Sequence, residues 1–359
     1  MIHKFIYSII FILASSTILL SQNNRPQEPK APFLYNSENV SFENKTDSIS
    51  LAGTLTLPKE GTNFPAVILI SGSGPQDRNS EIFGHKSFLG IADYLSSNGI
   101  AVLRVDDRGT NESTGNYNTS GLNNFKSDTE VAFDYLKSRK EINTTKIGLI
   151  GHSLGGIIAP MIASESKDIN FIILLAGTGI RGDKLMLLQK EMLERKMGVN
   201  EEAIALGQKN IGDAYKIILN TTSTPDLLKA ELNIYFTSIF GLLLPKSQIE
   251  MISSQLSIPW LSDFIKFDPK ETLKKVNCSV LALNGANDLQ VPAKVNLEAI
   301  KKTIEENGNT DVTTIELPNL NHLFQESKTG LPNEYGKIDQ TFSPKALKII
   351  TNWILKRVK

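Results

Sequence analysis

The sequence contains one cysteine, Cys278, so no disulfide can form within the chain. Its 38 basic and 38 acidic residues cancel, which leaves no basic field that would attract nucleic acid. Only four histidines are present, and no group of histidine, cysteine and aspartate has the spacing of metal ligands. These absences exclude an internal disulfide framework, argue against a nucleic-acid partner, and imply neither a metal nor an organic cofactor.

A long apolar run occurs near the amino terminus. Residues 5–20 are apolar or small, follow Lys4, and give way to the polar stretch SQNNRPQEPK. This order is typical of a secretory signal, so we predict a signal peptide at 1–21, cleaved after Ser16 or Ser21, and a periplasmic or extracellular protein. An uncleaved membrane anchor is the alternative, although the run is shorter than the ~20 apolar residues of a spanning helix.

The rest of the chain carries strand patterns. Residues 22–38 are predicted as a linker, and the alternation at Val40–Asn44 and Ser48–Pro58 predicts an antiparallel pair at a sheet edge. Continuous apolar runs beyond it predict strands that are buried on both faces of a parallel sheet. These runs are Phe64–Gly74, Gly99–Gly109, Thr145–Ser153 and Ile169–Gly179, and the pattern resumes at Asn277–Gly285 and Asp311–Asn319.

Helical patterns separate the first strands, at Lys86–Ser97, Asn124–Lys137 and Leu154–Ala163. Strands that alternate with helices predict an α/β fold. After Gly182 this alternation stops, and only helical spacing continues to about Lys266. We therefore predict a helical insert at 179–270 between two parts of one core, 39–178 and 271–359. Ser343 followed by Pro344 predicts the start of a closing helix.

Ser153 lies in a G-x-S-x-G pattern, Gly151 to Gly155, where an apolar strand ends and a helix begins. Small flanking residues at such a sharp turn let the serine hydroxyl project above the sheet, as a nucleophile requires. The alternative is a serine that only caps the following helix. We predict that Ser153 is a catalytic nucleophile.

A serine hydroxyl needs a base within hydrogen-bond reach. His152 is its neighbour in sequence, but adjacent side chains diverge in a tight turn, so we predict that His152 packs beside the site. His322 lies just past the last predicted strand, in a loop that can return over the serine, and it is the predicted base. His85 is the competing candidate, or else a surface or loop histidine.

The acid that orients His322 is expected after another strand at the same sheet edge. Asp288 directly follows the apolar run that ends at Leu283, and the chain order serine, aspartate, histidine agrees with the nucleophile motif. Asp183 also follows a strand and is the competing acid. The other interpretation is that Asp288 is only a turn residue before the helix that begins at Pro292.

Several segments resemble the α/β-hydrolase superfamily, particularly its exported bacterial esterases. GHSLGG, NGANDLQVP and NLNHLFQ resemble its nucleophile elbow, acid loop and histidine loop. ISGSGPQDRN resembles its oxyanion loop, and VDDRGTNESTG resembles its D-x-R-G-x-G-x-S segment. The resemblance covers most of the chain after the signal. It implies an α/β-hydrolase fold, with a mostly parallel, doubly wound sheet and a helical cap insert.

The resemblance also implies an oxyanion hole made by the backbone amides of Ser73 and Leu154. Preorganised N–H groups stabilise the negative charge that develops on a tetrahedral intermediate. Gly72 and Gly74 would let the backbone approach the substrate. An ordinary glycine turn is the alternative for this loop.

Two residues depart from the family pattern. Ser71 stands where many members have histidine, and Asn111 replaces a glycine, although asparagine tolerates the left-handed conformation. Neither departure touches the predicted triad. Asp106, Asp107 and Arg108 are expected to brace the oxyanion loop rather than to react.

These residues together imply a serine carboxylesterase that works through an acyl-enzyme on Ser153, with His322 as base and Asp288 as its acid. A serine peptidase or aminopeptidase-like amide hydrolase is the alternative, because the same triad serves both. No cofactor and no metal are expected. The expected partner is a small-molecule ester, with no nucleic acid and no stable membrane partner, and the oligomeric state is left open.

Two other classes of protein remain open. Gly177, Gly179 and Gly182 form G-x-G-x-x-G after a strand and before a helix, which is the context of a dinucleotide site. This pattern does not open the first strand-helix-strand unit, and no strand ending in an acidic residue follows about twenty residues later. The glycines would otherwise form a hinge for the helical insert. A non-catalytic binding module is the other possibility.

Overall fold

The computed structural model of this protein describes residues 25–359, so the predicted signal peptide at 1–21 lies outside the described residues. The described chain divides into two compact units. The helical unit comprises Asn118–Leu122 and Arg181–Asp268, and the sheet unit comprises 25–117, Asn123–Ile180 and Pro269–Lys359. Across residues 25–359, none of the helices combines the length and apolar content needed to cross a bilayer.

The sheet unit is built on eight strands. They are β1 Tyr35–Asn44, β2 Ile49–Pro58, β3 Phe64–Ile70, β6 Ala101–Val105, β7 Ile142–His152, β8 Phe171–Leu175, β9 Ser279–Gly285 and β10 Val312–Leu317. Their order in the sheet is β1-β2-β6-β3-β7-β8-β9-β10. Strands β1, β2 and β6 are joined by antiparallel pairing, and all other neighbours are parallel. Two short strands, β4 Glu81–Ile82 and β5 His85–Lys86, form a separate pair.

Burial explains why these sequences form strands at these places. All five residues of β8 are buried, as expected for a central parallel strand. At the sheet edge, residues 37–43 of β1 alternate between exposed and half-buried side chains. This strand begins at Tyr35, five residues earlier than predicted, because Tyr35 pairs with Pro58 at the far end of β2. The first strand therefore extends into the segment predicted as a linker.

Helices flank this sheet in two groups. They are α1 Ser87–Ser96, α2 Leu122–Ser138, α3 Gly155–Ala163, α9 Pro269–Leu273, α10 Ala293–Glu305 and α11 Pro344–Arg357. Helix α1 packs on β6 and β2 and contacts the closing helix α11. Helix α3 packs on β7 and β8 and contacts α9, which in turn contacts α10. As predicted, Ser343 caps α11 and Pro344 occupies its first turn.

The helical unit consists mainly of five consecutive helices. They are α4 Gly182–Lys196, α5 Glu201–Asn220, α6 Pro225–Phe240, α7 Lys246–Leu256 and α8 Pro259–Lys266. Two of them have strong start signals, since the Asn200 side chain caps α5 and the Thr224 side chain caps α6 ahead of Pro225. Leu232 and Phe236, one helical turn apart on α6, are both fully buried. Their burial gives the unit an apolar core of its own.

Candidate active site

Ser153 occupies the tight turn between β7 and α3. Its φ of 52° lies in the left-handed region, which is costly for a residue other than glycine and is maintained only where the surroundings enforce it. Its backbone N–H donates to the oxygen of Leu175 at 2.9 Å, which fixes the turn to the neighbouring strand β8. The N-cap of α3 is Leu154, and no side chain caps this helix. Ser153 is therefore not a helix-capping serine, and its side chain is half exposed.

The glycines of the motif are required by close backbone packing. A Cβ atom on Gly151 would lie 2.0 Å from the oxygen of Gly155, and one on Gly155 would lie 2.3 Å from the oxygen of Ile70. Both distances are far below any van der Waals contact. On the other side of the serine, a Cβ atom on Gly72 would lie 3.3 Å from the Cβ of Ser153. The loop after β3 is thus packed directly against the serine side chain.

Asp288 and His322 form a buried pair. The His322 Nδ1 lies 2.8 Å from Asp288 Oδ2, and the two residues are 5% and 1% exposed. The other carboxylate oxygen, Oδ1, accepts the backbone N–H groups of Gln290 and Val291 at 2.8 and 2.9 Å. A carboxylate only accepts, so Nδ1 of His322 carries a proton and donates it to this bond. Its Nε2 is then the nitrogen that can act as a base.

The loop of His322 is tied to the turn of Ser153 through His152. Nε2 of His152 lies 2.9 Å from the backbone oxygen of His322, and the two imidazole centroids are 4.9 Å apart. Burial, followed by the proximity of His322, lowers the pKa of His152 to about 4, so its ring is neutral at neutral pH. His152 therefore packs beside the serine, as predicted, and its donor is engaged by a carbonyl.

The Ser153 hydroxyl and His322 form no hydrogen bond in the described structure. Hydrogen bonds between a nucleophile and its base are often long in a free enzyme and shorten in the substrate complex. The structure brings the acid and the histidine into contact and attaches the histidine loop to the serine turn. For proton transfer between them, the Ser153 hydroxyl must come within hydrogen-bond distance of the His322 ring.

Two backbone amides of the described chain have no partner of their own, one directly after Ser153 in the chain and one in the loop that packs on it. Within residues 25–359, neither the N–H of Ser73 nor that of Leu154 donates a hydrogen bond. Leu154 precedes the first turn of α3, where the helix dipole favours negative charge. An arrangement of free amides at a helix N-terminus beside a reactive oxygen can stabilise an oxyanion.

The competing histidine and acid are engaged elsewhere. His85 is fully buried, and its ring contacts the Thr341 hydroxyl at 3.0 Å and the backbone oxygen of Tyr335 at 3.1 Å. It is neither a surface nor a loop histidine, because it lies in β5. The carboxylate of Asp183 is held by the guanidinium of Arg181 at 2.6 and 2.8 Å. Both residues thus have local structural partners.

The glycine-rich stretch after β8 is filled by the chain itself. The N–H of Gly179 donates to the side-chain Oδ1 of Asn296 at 2.9 Å, and a Cβ atom on this glycine would lie 2.5 Å from the backbone oxygen of Asn296. An amide that is already paired in this way is not available to a phosphate group. The close approach to α10 accounts for the glycine without a dinucleotide.

Of the three residues expected to brace the oxyanion loop, two contact the segment that follows β3. Asp107 accepts from Ser71 and Gln76, and Asp106 accepts the N–H of Arg78 at 2.7 Å. Arg108 differs from the prediction, because its guanidinium binds Asp47 and Asp128 instead. These two acids lie far away along the chain, so local sequence gave no sign of this pairing.

One further contact was not foreseen. The N–H of Gly74 donates to the hydroxyl of Tyr117 at 2.9 Å, and no motif singles out this tyrosine. Asn111 has a φ of 47°, which lies in the left-handed region that asparagine tolerates. Within residues 25–359, no three side chains of His, Cys, Asp or Glu are grouped so that they could hold a metal ion.

Comparisons with known proteins point to hydrolases. A family model described as serine aminopeptidase, S33, matches residues 85–204, about a third of the chain. Esterase EstD of Thermotoga maritima is 28% identical over 323 residues, which cover 88% of this chain and 68% of that protein.

Solved structures share the same fold. A hypothetical protein of Pseudomonas aeruginosa matches with a TM-score of 0.54 at 17% identity, over 95% of this chain and 99% of that one. An esterase of Pyrococcus furiosus matches with a TM-score of 0.52 at 14% identity, over 90% and 93% of the two chains. At such low identity these matches establish the arrangement of strands and helices and not the reaction.

Proposed function

We propose that this chain is a serine carboxylesterase of the α/β-hydrolase superfamily, which forms an acyl-enzyme on Ser153. The observation that carries this proposal is the buried bond between Asp288 and His322, in a loop attached to the strained turn of the serine. The similarity to an esterase over 88% of the chain supports an ester as the substrate class.

In the proposed reaction, Ser153 Oγ attacks the carbonyl carbon of the ester while His322 Nε2 takes the hydroxyl proton. The intermediate collapses, the bond to the leaving oxygen breaks, and His322 returns the proton to the departing alcohol. A water molecule then attacks the acyl-enzyme, again with His322 as base, and the carboxylic acid is released. Asp288 holds the imidazole and stabilises its positive charge in both halves.

The backbone N–H groups of Ser73 and Leu154 are the proposed oxyanion donors. Both are free of other partners in the described chain, and the loop of Ser73 packs against Ser153. Their role is to meet the charge that appears on the carbonyl oxygen during attack. Loss of one such donor typically lowers the rate about 100- to 1,000-fold.

Amide hydrolysis is the second candidate function. It is favoured by the match of residues 85–204 to the serine aminopeptidase family model. The same nucleophile, base and acid would act on an amide, with His322 protonating an amine in place of an alcohol. Rates on esters and amides measured side by side distinguish the two functions.

The test compares initial rates of the wild type and Ser153→Ala on p-nitrophenyl acetate, butyrate and octanoate and on aminoacyl p-nitroanilides. Ser164→Ala, at the other end of α3, is the matched control, since its hydroxyl only bonds to Met161. The proposal expects ester turnover by the wild type and Ser164→Ala, and none by Ser153→Ala. Turnover of anilides alone would replace the esterase with the amide hydrolase, and equal activity of Ser153→Ala would overturn both.

The proposed site of action is outside the cytoplasm, with residues 1–21 as the export signal, and a small-molecule ester is the proposed partner. The basis is the apolar sequence of residues 5–20 and the polar sequence SQNNRPQEPK that follows it. Expression of the full chain followed by cell fractionation tests it. Activity confined to the cytoplasmic fraction, with no processing of the amino terminus, would contradict export.

A further inference from the structure

The oxyanion loop, defined here as Ser71–Gln76, carries the proposed donor Ser73 between two glycines. Gly74 has a φ of 89°, a conformation that favours glycine and leaves the backbone inherently free. A donor on such a segment stabilises an oxyanion only if something holds it in place before the reaction. The packing and hydrogen bonds of the loop therefore decide whether Ser73 can act.

The oxyanion loop packs on Ser153 on one side and borders a cavity on another. A cavity of about 50 Å³ lies beside it, in the sheet unit, and is bordered by Ser71, Gly72, Asp107, Tyr117 and Leu154 among others. This volume exceeds the space that one water molecule needs. Packing therefore restrains the loop on the side of Ser153, and on the side of the cavity its position depends on hydrogen bonds.

We propose that Asp107 is a positioning residue that holds the oxyanion loop by both ends, so that the N–H of Ser73 points at the developing oxyanion. The inference rests on the proposed function. Asp107 itself follows β6 and does not touch the reacting atoms in this scheme.

The two carboxylate oxygens of Asp107 are each used on one end of the loop. The hydroxyl of Ser71 donates to Oδ1 at 2.6 Å, and the backbone N–H of Gln76 donates to Oδ2 at 2.9 Å. The backbone N–H of Asp107 also donates to the oxygen of Gln76 at 3.0 Å. One residue thus binds the positions two before and three after Ser73, at the carboxyl edge of the sheet.

A second contact fixes the middle of the loop. The N–H of Gly74 donates to the hydroxyl of Tyr117 at 2.9 Å, and the Tyr117 ring is buried and stacked on Phe125 at 4.7 Å. The residue after Ser73 is therefore held by a rigid aromatic side chain. Ser71, Gly74 and Gln76 are therefore all held by hydrogen bonds, and Ser73 lies among them in the chain.

The surroundings of Asp107 fit a positioning role better than a stabilising ion pair. No Lys or Arg nitrogen lies within 4.0 Å of its carboxylate in the described chain, since the neighbouring Arg108 is bound to Asp47 and Asp128. Burial raises the pKa of Asp107 to about 7. In the described chain, both donors that reach this carboxylate belong to the oxyanion loop, so its bonds are directed at the loop and not at a cation. The Ser71 hydroxyl supplies one of its two side-chain donors.

The test compares Asp107→Ala, which removes both side-chain bonds, with Asp107→Asn. The asparagine can keep both, because its oxygen accepts from Gln76 and its amide donates to the Ser71 hydroxyl oxygen. The exposed Asp168→Ala is the control. For each protein we would measure kcat and KM on p-nitrophenyl butyrate, and the inhibition constant of an alkyl trifluoromethyl ketone, which forms an oxyanion on a nucleophilic serine. Circular dichroism would monitor folding.

We expect Asp107→Ala to lower kcat about 100-fold with little change in KM, and to weaken the ketone to a similar extent. Asp107→Asn should recover at least tenfold of the lost kcat, and Asp168→Ala should match the wild type. A purely structural role would lower the amount of folded protein and leave kcat per folded molecule unchanged. An Asp107→Ala variant that is folded and retains kcat would overturn the proposal.

If Asp107→Ala does not fold, Ser71→Ala and Tyr117→Phe each remove a single bond from the loop. The proposal expects a lower kcat in each and a larger loss in the double variant, whereas wild-type kcat in all three would overturn it. Ester turnover by the wild type distinguishes failure of the Asp107 proposal from failure of the proposed function. Without Ser153-dependent ester turnover the proposed function fails, and with such turnover but unaffected variants only the role of Asp107 fails.

Discussion

The Nε2 atom of His152 lies 2.9 Å from the backbone oxygen of His322, although 170 positions separate the two residues. His152 directly precedes the proposed nucleophile, and His322 is the proposed base. A carbonyl oxygen only accepts, so the neutral His152 ring donates from Nε2. The turn after β7 and the loop after β10 are thus joined by one hydrogen bond next to the proposed chemistry.

We predict that His152→Leu lowers kcat on p-nitrophenyl butyrate roughly tenfold. This change leaves the buried oxygen of His322 without its donor, a loss of about 1–3 kcal/mol that the histidine loop would bear. His152→Gln, which can still donate from its amide, should lose less. Steady-state kinetics on folded protein checks this, and equal kcat values for the leucine and glutamine variants would show that the bond does not position the base.

We predict that Gly155→Ala destabilises the fold and abolishes turnover. Its methyl group would collide with the backbone oxygens of Ile70 and Ser71, at 2.3 and 2.8 Å, and backbone atoms cannot move aside easily. Gly90→Ala is the matched control, because Gly90 lies inside α1 with nothing within 4 Å of the added carbon. That variant should gain about 0.5–1 kcal/mol of unfolding free energy. Urea denaturation of both variants decides, and a stable, active Gly155→Ala would refute the packing of this turn.

We predict that Arg108→Ala costs about 3–5 kcal/mol of unfolding free energy. The Arg108 guanidinium is 4% exposed and bridges Asp47 and Asp128, so its removal leaves two half-buried carboxylates without a cation. Arg195→Ala should cost no more than about 1 kcal/mol, since Arg195 and its acidic partners lie at the surface. The loss of unfolding free energy should exceed the free energy that corresponds to any fall in kcat per folded molecule. A stable but inactive Arg108→Ala would instead place this residue in the reaction.

We predict that His85 makes the unfolding free energy depend on pH. Burial lowers its pKa from an ordinary 6.5 to about 4, so between these values the unfolded chain binds a proton that the folded chain does not. The stability that the neutral ring contributes is therefore fully present above pH 6.5 and is lost as the pH falls towards 4.

His85→Leu provides the test, because leucine does not titrate. At pH 7.5 the variant should be less stable than the wild type by about 1–3 kcal/mol, since the Thr341 hydroxyl and the backbone oxygen of Tyr335 lose their partner. Denaturant melts at pH 7.5 and 4.5 should show this difference shrinking at the lower pH. Comparing the two proteins at each pH cancels the effects of His152 and Asp107. A difference that stays constant would rule out the titration of His85.

Much of the sheet could be predicted because its signals are local. The apolar runs around β3, β7, β8 and β9 carry their own evidence of burial on both faces, and each became a parallel strand. The antiparallel edge pair was predicted for the same reason, from the alternation of side chains. The start of β1 at Tyr35 was missed, because it is decided by pairing with Pro58 and not by the composition of the strand.

The candidate site divides in the same way. The G-x-S-x-G pattern at the junction of a strand and a helix marked Ser153, whose left-handed backbone the structure shows. No such local pattern connects Gly74 with Tyr117, or Arg108 with Asp47. In each pair the two residues come from different segments of the chain, and the segment around Tyr117 or Asp47 contains no motif that marks the residue.

The sequence by itself determined the parallel sheet, the sharp turn at Ser153 and the candidate residues Asp288 and His322, because periodicity, glycine spacing and chain order act over short distances. Only the tertiary structure decided which side chains meet: Asp288 with His322, His152 with the backbone of His322, and Asp107 with the oxyanion loop. Hydrogen bonds between distant segments form when the sheet brings strand ends together, and they leave no period in the chain.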